Sequence, residues 1–510
     1  MNAEITLNEL SSLETDLQRA IHYHQANNWA DAKKYYQAVL CQDPDHPLAT
    51  LNSGALFLEI GEIEAGLRLM DKATTLARAQ CNTDVLLFIG NALNLSERLI
   101  EAKAVFRQVL EIEPTHIDAL CNLGVTLDKL GRFADARECY SVVLQINHEH
   151  IASLRNLGSV QTELGQLAEA ESCYREVLRL TPDCDKIHFA LALVLLFAGN
   201  FSEGWRRFDY RWKGGRNQTP YPDTVLPQWT GQMIHPGESI LIFGEQGMGD
   251  RIQFSRYLNL LTHRFSGKVS VILNRELTVL FQRSFPDCEF LESVPADQSK
   301  WQWQCALMSL PLAFNTTLDT IPGSSPYLTP DSKRVAYFKK NIARLTLPAT
   351  IRKIGVVWKC GVGTVNSGLR SIPFELLAPL FDQRDVIWFN LQKEPGQDRQ
   401  KLQAVNRLID WSDEFSDFDY TAALIMNLDL VITVDTSVAH LAGALGKPVW
   451  LLNRFASEWR WMRDRKDSPW YPTTILFNQC RAGDWEEVIG RACSALAGSQ
   501  DKSRSFIALK

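Results

Sequence analysis

Asp250 closes a glycine-rich run, "ILIFGEQGMGDRIQFSRYLNLL", from Ile240 to Leu261. An apolar stretch is followed by Gly244, Gly247 and Gly249, and then by Phe254, Tyr257, Leu258 and Leu261 at helical spacing. This pattern predicts a strand, a tight loop and a helix beginning near Asp250. Such loops hold phosphates, because a helix N-terminus offers free N–H groups and glycine accepts positive φ and close approach of a ligand. The spacing G-x-x-G-x-G-D fits neither the dinucleotide fingerprint nor the Walker loop. A carboxylate also stands where a nucleotidase carries lysine. It is either a helix N-cap in an ordinary βα turn or a base that takes a proton from a hydroxyl.

A second constellation is "DLVITVDTSVAHLAGALGKPVW", which reads as strand, loop, helix and strand. Asp435, Thr436 and Ser437 fall at the carboxyl end of the strand and the start of the helix. Open α/β sheets bind ligands there, and the helix dipole favours phosphate. His440, one turn further on, is either a packing residue or a ligand contact. Lys359 and Arg370, in "KCGVGTVNSGLRSIP", again lie beyond a strand end. They are solvated charges or the cations that neutralise a diphosphate leaving group. Gln392, after the run "VIWFNL", is assigned to the same donor site. In "SDFDY", Asp417 and Asp419 have the spacing of a metal-binding D-x-D, but they directly precede a helix and read as capping. No metal and no cofactor are expected.

These residues need a scaffold, and the second part of the chain supplies one. Short β-rich runs, among them "SILIF", "VSVIL", "KIGVVW", "LDLVITV", "KPVWLLN" and "TILF", alternate with amphipathic segments. That alternation predicts parallel, doubly wound sheets. The runs divide into two Rossmann-like halves, residues 236–335 and 350–500, facing a cleft. A Gly- and Pro-rich linker over 215–235 precedes them.

The first part of the chain repeats. Gly90, Gly124 and Gly158 are 34 residues apart, as are Ala102, Ala136 and Ala170, then Phe106, Tyr140 and Tyr174, and also Gly131, Gly165 and Gly199. Pro114 and Pro182 lie two periods apart. This is the tetratricopeptide period, two antiparallel helices per repeat. Looser units precede it, and "GNFSEGWRRFDYRW" reads as a closing helix, so the α-solenoid is predicted over residues 10–214. Asn52, Asn122 and Asn156 share one column, two residues before the repeat glycine. Their amides either hold an extended peptide backbone or are merely frequent in such repeats. A solenoid of this kind suits a protein or peptide partner.

Composition limits the function. The net charge is −6 and the pI about 6.0, which argues against nucleic-acid binding by bulk charge. Eleven cysteines lie without a C-x-x-C pair, as expected for reduced core thiols in a cytoplasmic protein. Neither an apolar signal core nor a run approaching the ~20 residues of a membrane span is present, so no membrane insertion is expected.

The motifs "EQGMGDRIQFSRY", "GLRSIP", "VDTSVAHLAGALGKPVWLL" and "EWRWMRDRKDSPWYP" resemble the bacterial tetratricopeptide-fused glycosyltransferases. Their transferase part is similar to the heptosyltransferases of glycosyltransferase family 9, which have the GT-B fold. With the repeats, the resemblance covers nearly the whole chain. It implies that Asp250 is the catalytic base and that Gly247 and Gly249 shape the loop around sugar and acceptor. It also implies that Asp435, Thr436 and His440 hold the donor diphosphate. Ser437 replaces the glycine usual in that donor loop, where its backbone N–H serves if φ is negative. The implied activity is inverting transfer from a nucleotide sugar to a protein or peptide held by the repeats. The alternatives are a non-catalytic scaffold with a degenerate transferase fold and a GT-B-fold sugar epimerase.

Overall fold

The computed structural model describes residues 12–79, 82–215, 221–323, 326–361 and 367–498. Residues 10–11, 80–81, 216–220, 324–325, 362–366 and 499–500, to which the expectations above extend, lie outside the described residues, as does the N-terminal stretch before them. The chain divides into two compact units, Met1–Pro182 and Asp183–Lys510.

The first unit is an α-solenoid of helix pairs. Clear examples are Thr83–Leu95 with Leu99–Ile112, Ile117–Lys129 with Phe133–Ile146, and Ile151–Glu163 with Leu167–Leu180. The 34-residue columns have a direct packing cause. A Cβ on Gly90 would lie 2.5 Å from the Phe106 ring, one on Gly124 2.7 Å from Tyr140, and one on Gly158 2.8 Å from Tyr174. Each repeat's aromatic therefore fills the space that its glycine leaves, sixteen residues earlier. Phe106 and Tyr140 are fully buried. Gly131 and Gly165, at φ near +70°, turn the chain between paired helices, a conformation that glycine adopts without strain.

The second unit opens with helices Asp185–Phe197, Phe201–Phe208 and Arg211–Gly214. Phe201–Phe208 is the closing helix of the sequence pattern, and all three group with the α/β part. Trp205 packs edge-on against Trp459, and Phe201 stacks on Trp470. The buried Arg211 guanidinium forks onto Glu245 at 2.6 and 2.9 Å and reaches Ser309 at 2.8 Å, which ties this helix to the glycine-rich loop.

Among the described residues ten strands follow: β1 (Ile240–Phe243), β2 (Val269–Ile272), β3 (Cys288–Leu291), β4 (Trp303–Ala306), β5 (Arg352–Val357), β6 (Val386–Asn390), β7 (Leu408–Asp410), β8 (Leu430–Val434), β9 (Val449–Asn453) and β10 (Thr474–Asn478). They form two all-parallel sheets, ordered β3-β2-β1-β4 and β10-β9-β8-β5-β6-β7. The second has the doubly wound order of two mononucleotide-binding halves, with its switch point between β5 and β8. In the first sheet the order reverses between β1 and β4. Strands β1, β6, β8 and β9 are buried along their whole length, as parallel strands covered on both faces are.

Helix Ser332–Ala343 crosses between the halves and packs on helix Phe418–Met426. Asp417 caps the latter by accepting from the Tyr420 N–H at 3.0 Å, and Arg334 pairs with it at 2.8 Å. Asp419 is fully buried between Arg283 and Arg334. Both carboxylates thus brace the joint between the halves. The described cysteines are free thiols, but Cys41 and Cys480 are exposed rather than in the core. Among the described residues no helix is long and apolar enough to cross a membrane.

Candidate functional site

The carboxyl ends of β1, β5, β6 and β8 converge on a cavity of about 520 Å³. Gly247, Gly249 and Asp250 line it from the first half. Lys359, Arg370, Gln392, Asp435, Thr436, Ser437 and His440 line it from the second. Ten residues picked from the sequence on separate motifs therefore face one space. Asn52, Asn122 and Asn156 lie in the other unit, each on the first helix of a repeat and half-buried. The Asn122 amide donates to Asn91 Oδ1 at 2.8 Å, and Asn156 Oδ1 accepts from Arg155 Nε at 3.3 Å. Phe88 fills the same column in the intervening repeat and is 48% exposed, so the amides do not form an unbroken row.

The glycine-rich loop differs in detail from its expected form. Helix Met248–Phe254 starts two residues before Asp250, so Asp250 is its third residue and not its N-cap. Its Oδ2 reaches back to the Gly247 N–H at 2.9 Å, which satisfies a donor at the helix start from inside the first turn. None of Gly244, Gly247 or Gly249 has positive φ; Gln246 does, at +54°. A non-glycine residue there is strained backbone, a feature that clusters in functional loops. The glycines serve close approach instead. A Cβ on Gly244 would lie 2.8 Å from the Ile272 carbonyl oxygen, and one on Gly249 2.8 Å from His440 Cδ2. The two halves touch at Gly249.

Across the cavity, helix Ser437–Ala444 begins directly after β8. Thr436 stands at its N-cap position but its side chain makes no cap hydrogen bond. The φ of Ser437 is not positive, so the condition for its N–H to serve in place of the glycine is met. His440 is buried, hydrogen-bonds Tyr471 Oη through Nδ1 at 2.9 Å and stacks on Trp461. Burial, with Arg460 nearby, lowers its pKa to about 3, so the imidazole is neutral. It brings a polar ring nitrogen to the site, not a charge.

The cations are already paired. Lys359 Nζ lies 2.5 Å from Asp398 Oδ2, and its backbone N–H donates to Gln392 Oε1 at 3.1 Å. Arg370 Nη2 holds the Asp435 carbonyl at 2.6 Å and its carboxylate at 2.9 Å. The Arg370 Nε is buried with no hydrogen-bond partner among the described residues. Burial raises Asp435 above the ordinary aspartate value, with Arg370 opposing the shift.

Among the cavity-wall residues not picked from the sequence are Glu458 and Arg460. Arg460 pairs with Asp250 and with Glu458, and its Nε donates to Gln253 Oε1 at 2.7 Å. Both lie in the tryptophan-rich motif "EWRWMRDRKDSPWYP". The usable signal was a charge, Arg460, between two tryptophans, Trp459 and Trp461, with Glu458 just before them. Burial raises the Asp250 carboxyl above its ordinary value; Arg460 and the Gly247 N–H pull it back, and Glu458 adds to the rise. A carboxylate so placed accepts a proton more readily than an exposed one.

Models of the tetratricopeptide repeat match residues 17–80, 93–157 and 153–184. The model of glycosyltransferase family 9 (heptosyltransferase) matches residues 416–461. That segment includes β8, the Asp435–His440 turn, Glu458 and Arg460, but not Asp250. Protein FlbA of Caulobacter vibrioides is 28% identical over 335 residues, 62% of this chain and 55% of its own length, so the match spans about half of that relative. Among solved structures, MamA is 18% identical with a TM-score of 0.29, covering 33% of this chain and 90% of its own. PilW, a type IV pilus biogenesis factor, is 16% identical with a TM-score of 0.35, covering 41% and 96%. The chain joins tetratricopeptide repeats to an α/β unit whose residues 416–461 match the model of glycosyltransferase family 9.

Proposed function

We propose that the protein is an inverting glycosyltransferase that uses a nucleotide sugar and acts on a protein or peptide acceptor engaged by the repeats. The observation that carries this reading is the single cavity where Asp250 faces the uncapped start of helix Ser437–Ala444. The helix start and Arg370 suit a diphosphate, the first through free N–H groups and the second through its guanidinium charge on the cavity wall. The neutral His440 adds a ring nitrogen.

In the transfer step the acceptor hydroxyl attacks the anomeric carbon from the Asp250 side. Its proton passes to the Asp250 carboxylate as the new C–O bond forms. The anomeric C–O bond to phosphate breaks with its electron pair, and the nucleoside diphosphate leaves towards Arg370 and the Ser437 N–H. One displacement inverts the anomeric centre. Such a base contributes roughly 10²–10⁴-fold. No step draws on a metal.

The match of residues 416–461 to the glycosyltransferase family 9 model supports a sugar transferase over an epimerase, and the repeats support a macromolecular acceptor. The test is a panel of nucleotide sugars incubated with the full chain, following nucleoside diphosphate release and thermal shift. One donor is expected to stabilise the protein and to be slowly hydrolysed. Neither stabilisation nor release with any donor would favour the scaffold reading.

A further inference from the structure

Asp250 is held by two bonds, one from each half of the α/β unit. Oδ2 accepts from the Gly247 N–H of its own loop, and Oδ1 accepts from Arg460 of the other half. The Arg460 side chain is 6% exposed and lies over the Trp459 ring, 4.4 Å from its centroid. It also holds Gln253, one turn along the Asp250 helix. Its guanidinium is therefore fixed on three sides and cannot follow a moving carboxylate. Asp250 keeps 18% of its side chain accessible and lines the cavity, so its remaining lone pairs are open to a hydroxyl.

We propose that Arg460 is the positioning residue for the Asp250 base: its guanidinium, shared with Glu458, fixes the carboxylate across the joint between the halves. The proposal rests on the reading of Asp250 as the base. The charged and titratable groups around the carboxylate are Arg460 and Glu458 on one strand-to-strand connection, Arg370 beyond β5, Asp435 and His440 beyond β8, and Arg251 on its own helix. His440 is neutral, and Asp435 is held by Arg370. Arg460 is therefore the cation in direct contact with Asp250.

The two partners of Arg460 give variants of opposite sign. Without the guanidinium, burial acts on Asp250 unopposed and the carboxyl holds its proton to higher pH. Without the Glu458 charge, Arg460 acts on Asp250 alone and the carboxyl releases its proton at lower pH. A latch that merely joined the halves would lower thermal stability in both variants and leave the acidic limb of the activity profile in place.

The experiment follows the Asp250 carboxyl in the ligand-free full chain by ¹³C NMR with aspartate labelled at Cγ. The resonance is identified by its loss in Asp250→Asn. Arg460→Met is expected to move its midpoint up, Glu458→Gln down, and Arg460→Lys to restore most of the wild-type value. The acidic limb of the pH profile of kcat/KM should move with each, so that Arg460→Met loses at least ~10-fold more activity at the acidic end than on the plateau. If Arg460→Met does not fold, Glu458→Gln alone decides. An Asp250 midpoint that stays put in every folded variant overturns the proposal. A midpoint that moves while the activity limb does not would instead overturn the assignment of Asp250 as base.

Discussion

Gly249 lies against His440: a Cβ on the glycine would come within 2.8 Å of the imidazole Cδ2. The imidazole cannot retreat, because Tyr471 holds its Nδ1 and Trp461 covers its face. The absence of one methyl group therefore sets how closely the two α/β halves approach. Gly249→Ala should force them apart and cost roughly 1–3 kcal/mol. A melting temperature lower by several degrees, with transfer impaired, is the expected result. An alanine variant with unchanged melting and transfer would show that the halves have slack at this contact.

The neutral His440 has a consequence for acid stability. Its folded pKa is lowered to about 3 by burial, while an unfolded histidine titrates near ~6.5. Between those values the unfolded chain binds the proton and the folded chain does not. Stability therefore rises with pH across that window and is lost as pH falls below about 6.5. Replacing His440 with Gln removes this proton uptake. The melting temperature of His440→Gln, measured from pH 7 down to pH 4, should fall less steeply than that of the wild type. Parallel curves would mean that His440 titrates alike in both states.

Lys359 and Arg370 both meet carboxylates in this structure, so a diphosphate must draw them from those partners or share them. Arg370→Ala should weaken nucleotide-sugar binding more than Lys359→Ala, because a planar guanidinium can engage phosphate in two places. Isothermal titration with the donor identified from the panel checks this. Equal donor affinity in wild type and both variants would return the two cations to structural duty.

Asn122→Ala combined with Asn156→Ala should raise the KM for a protein acceptor and leave slow donor hydrolysis unchanged. The Asn91 amide beside Asn122 and the aromatic Phe88 in the same column suggest an added check. Phe88→Ala should also raise that KM if the acceptor runs along this face. An acceptor KM that ignores all three substitutions would take this column out of acceptor binding.

Much of this architecture was legible in the sequence because its physical causes are local or periodic. Gly124 and Tyr140 recur every 34 residues since each ring needs each gap. Strands such as β1 and β8 were visible as unbroken apolar runs since both of their faces are covered. Strands β3, β4 and β7 were not. "CEFL" and "LID" are half-exposed edge strands, and "WQCA" carries a buried Gln304 whose amide finds the Tyr221 hydroxyl. Pattern does not reveal a polar residue satisfied by a distant partner. The site followed the same rule. Asp435 and Ser437 were marked by their position at a strand end. Arg460 lies 210 residues from the carboxylate it holds, and only the fold brings them together.

The central claim is that Asp250 takes the acceptor proton, and Asp250→Asn tests it most directly. The amide oxygen of Asn can still accept from the Gly247 N–H, and Arg460 retains Glu458 and Gln253 as partners. The variant should fold and bind the nucleotide sugar much as the wild type does. Only the proton acceptor is removed, so the rate of sugar transfer to a protein acceptor should fall at least ~100-fold. Transfer by Asp250→Asn at close to the wild-type rate, with donor binding intact, would contradict the account and leave Asp250 as a carboxylate that closes its loop and joins the halves through Arg460.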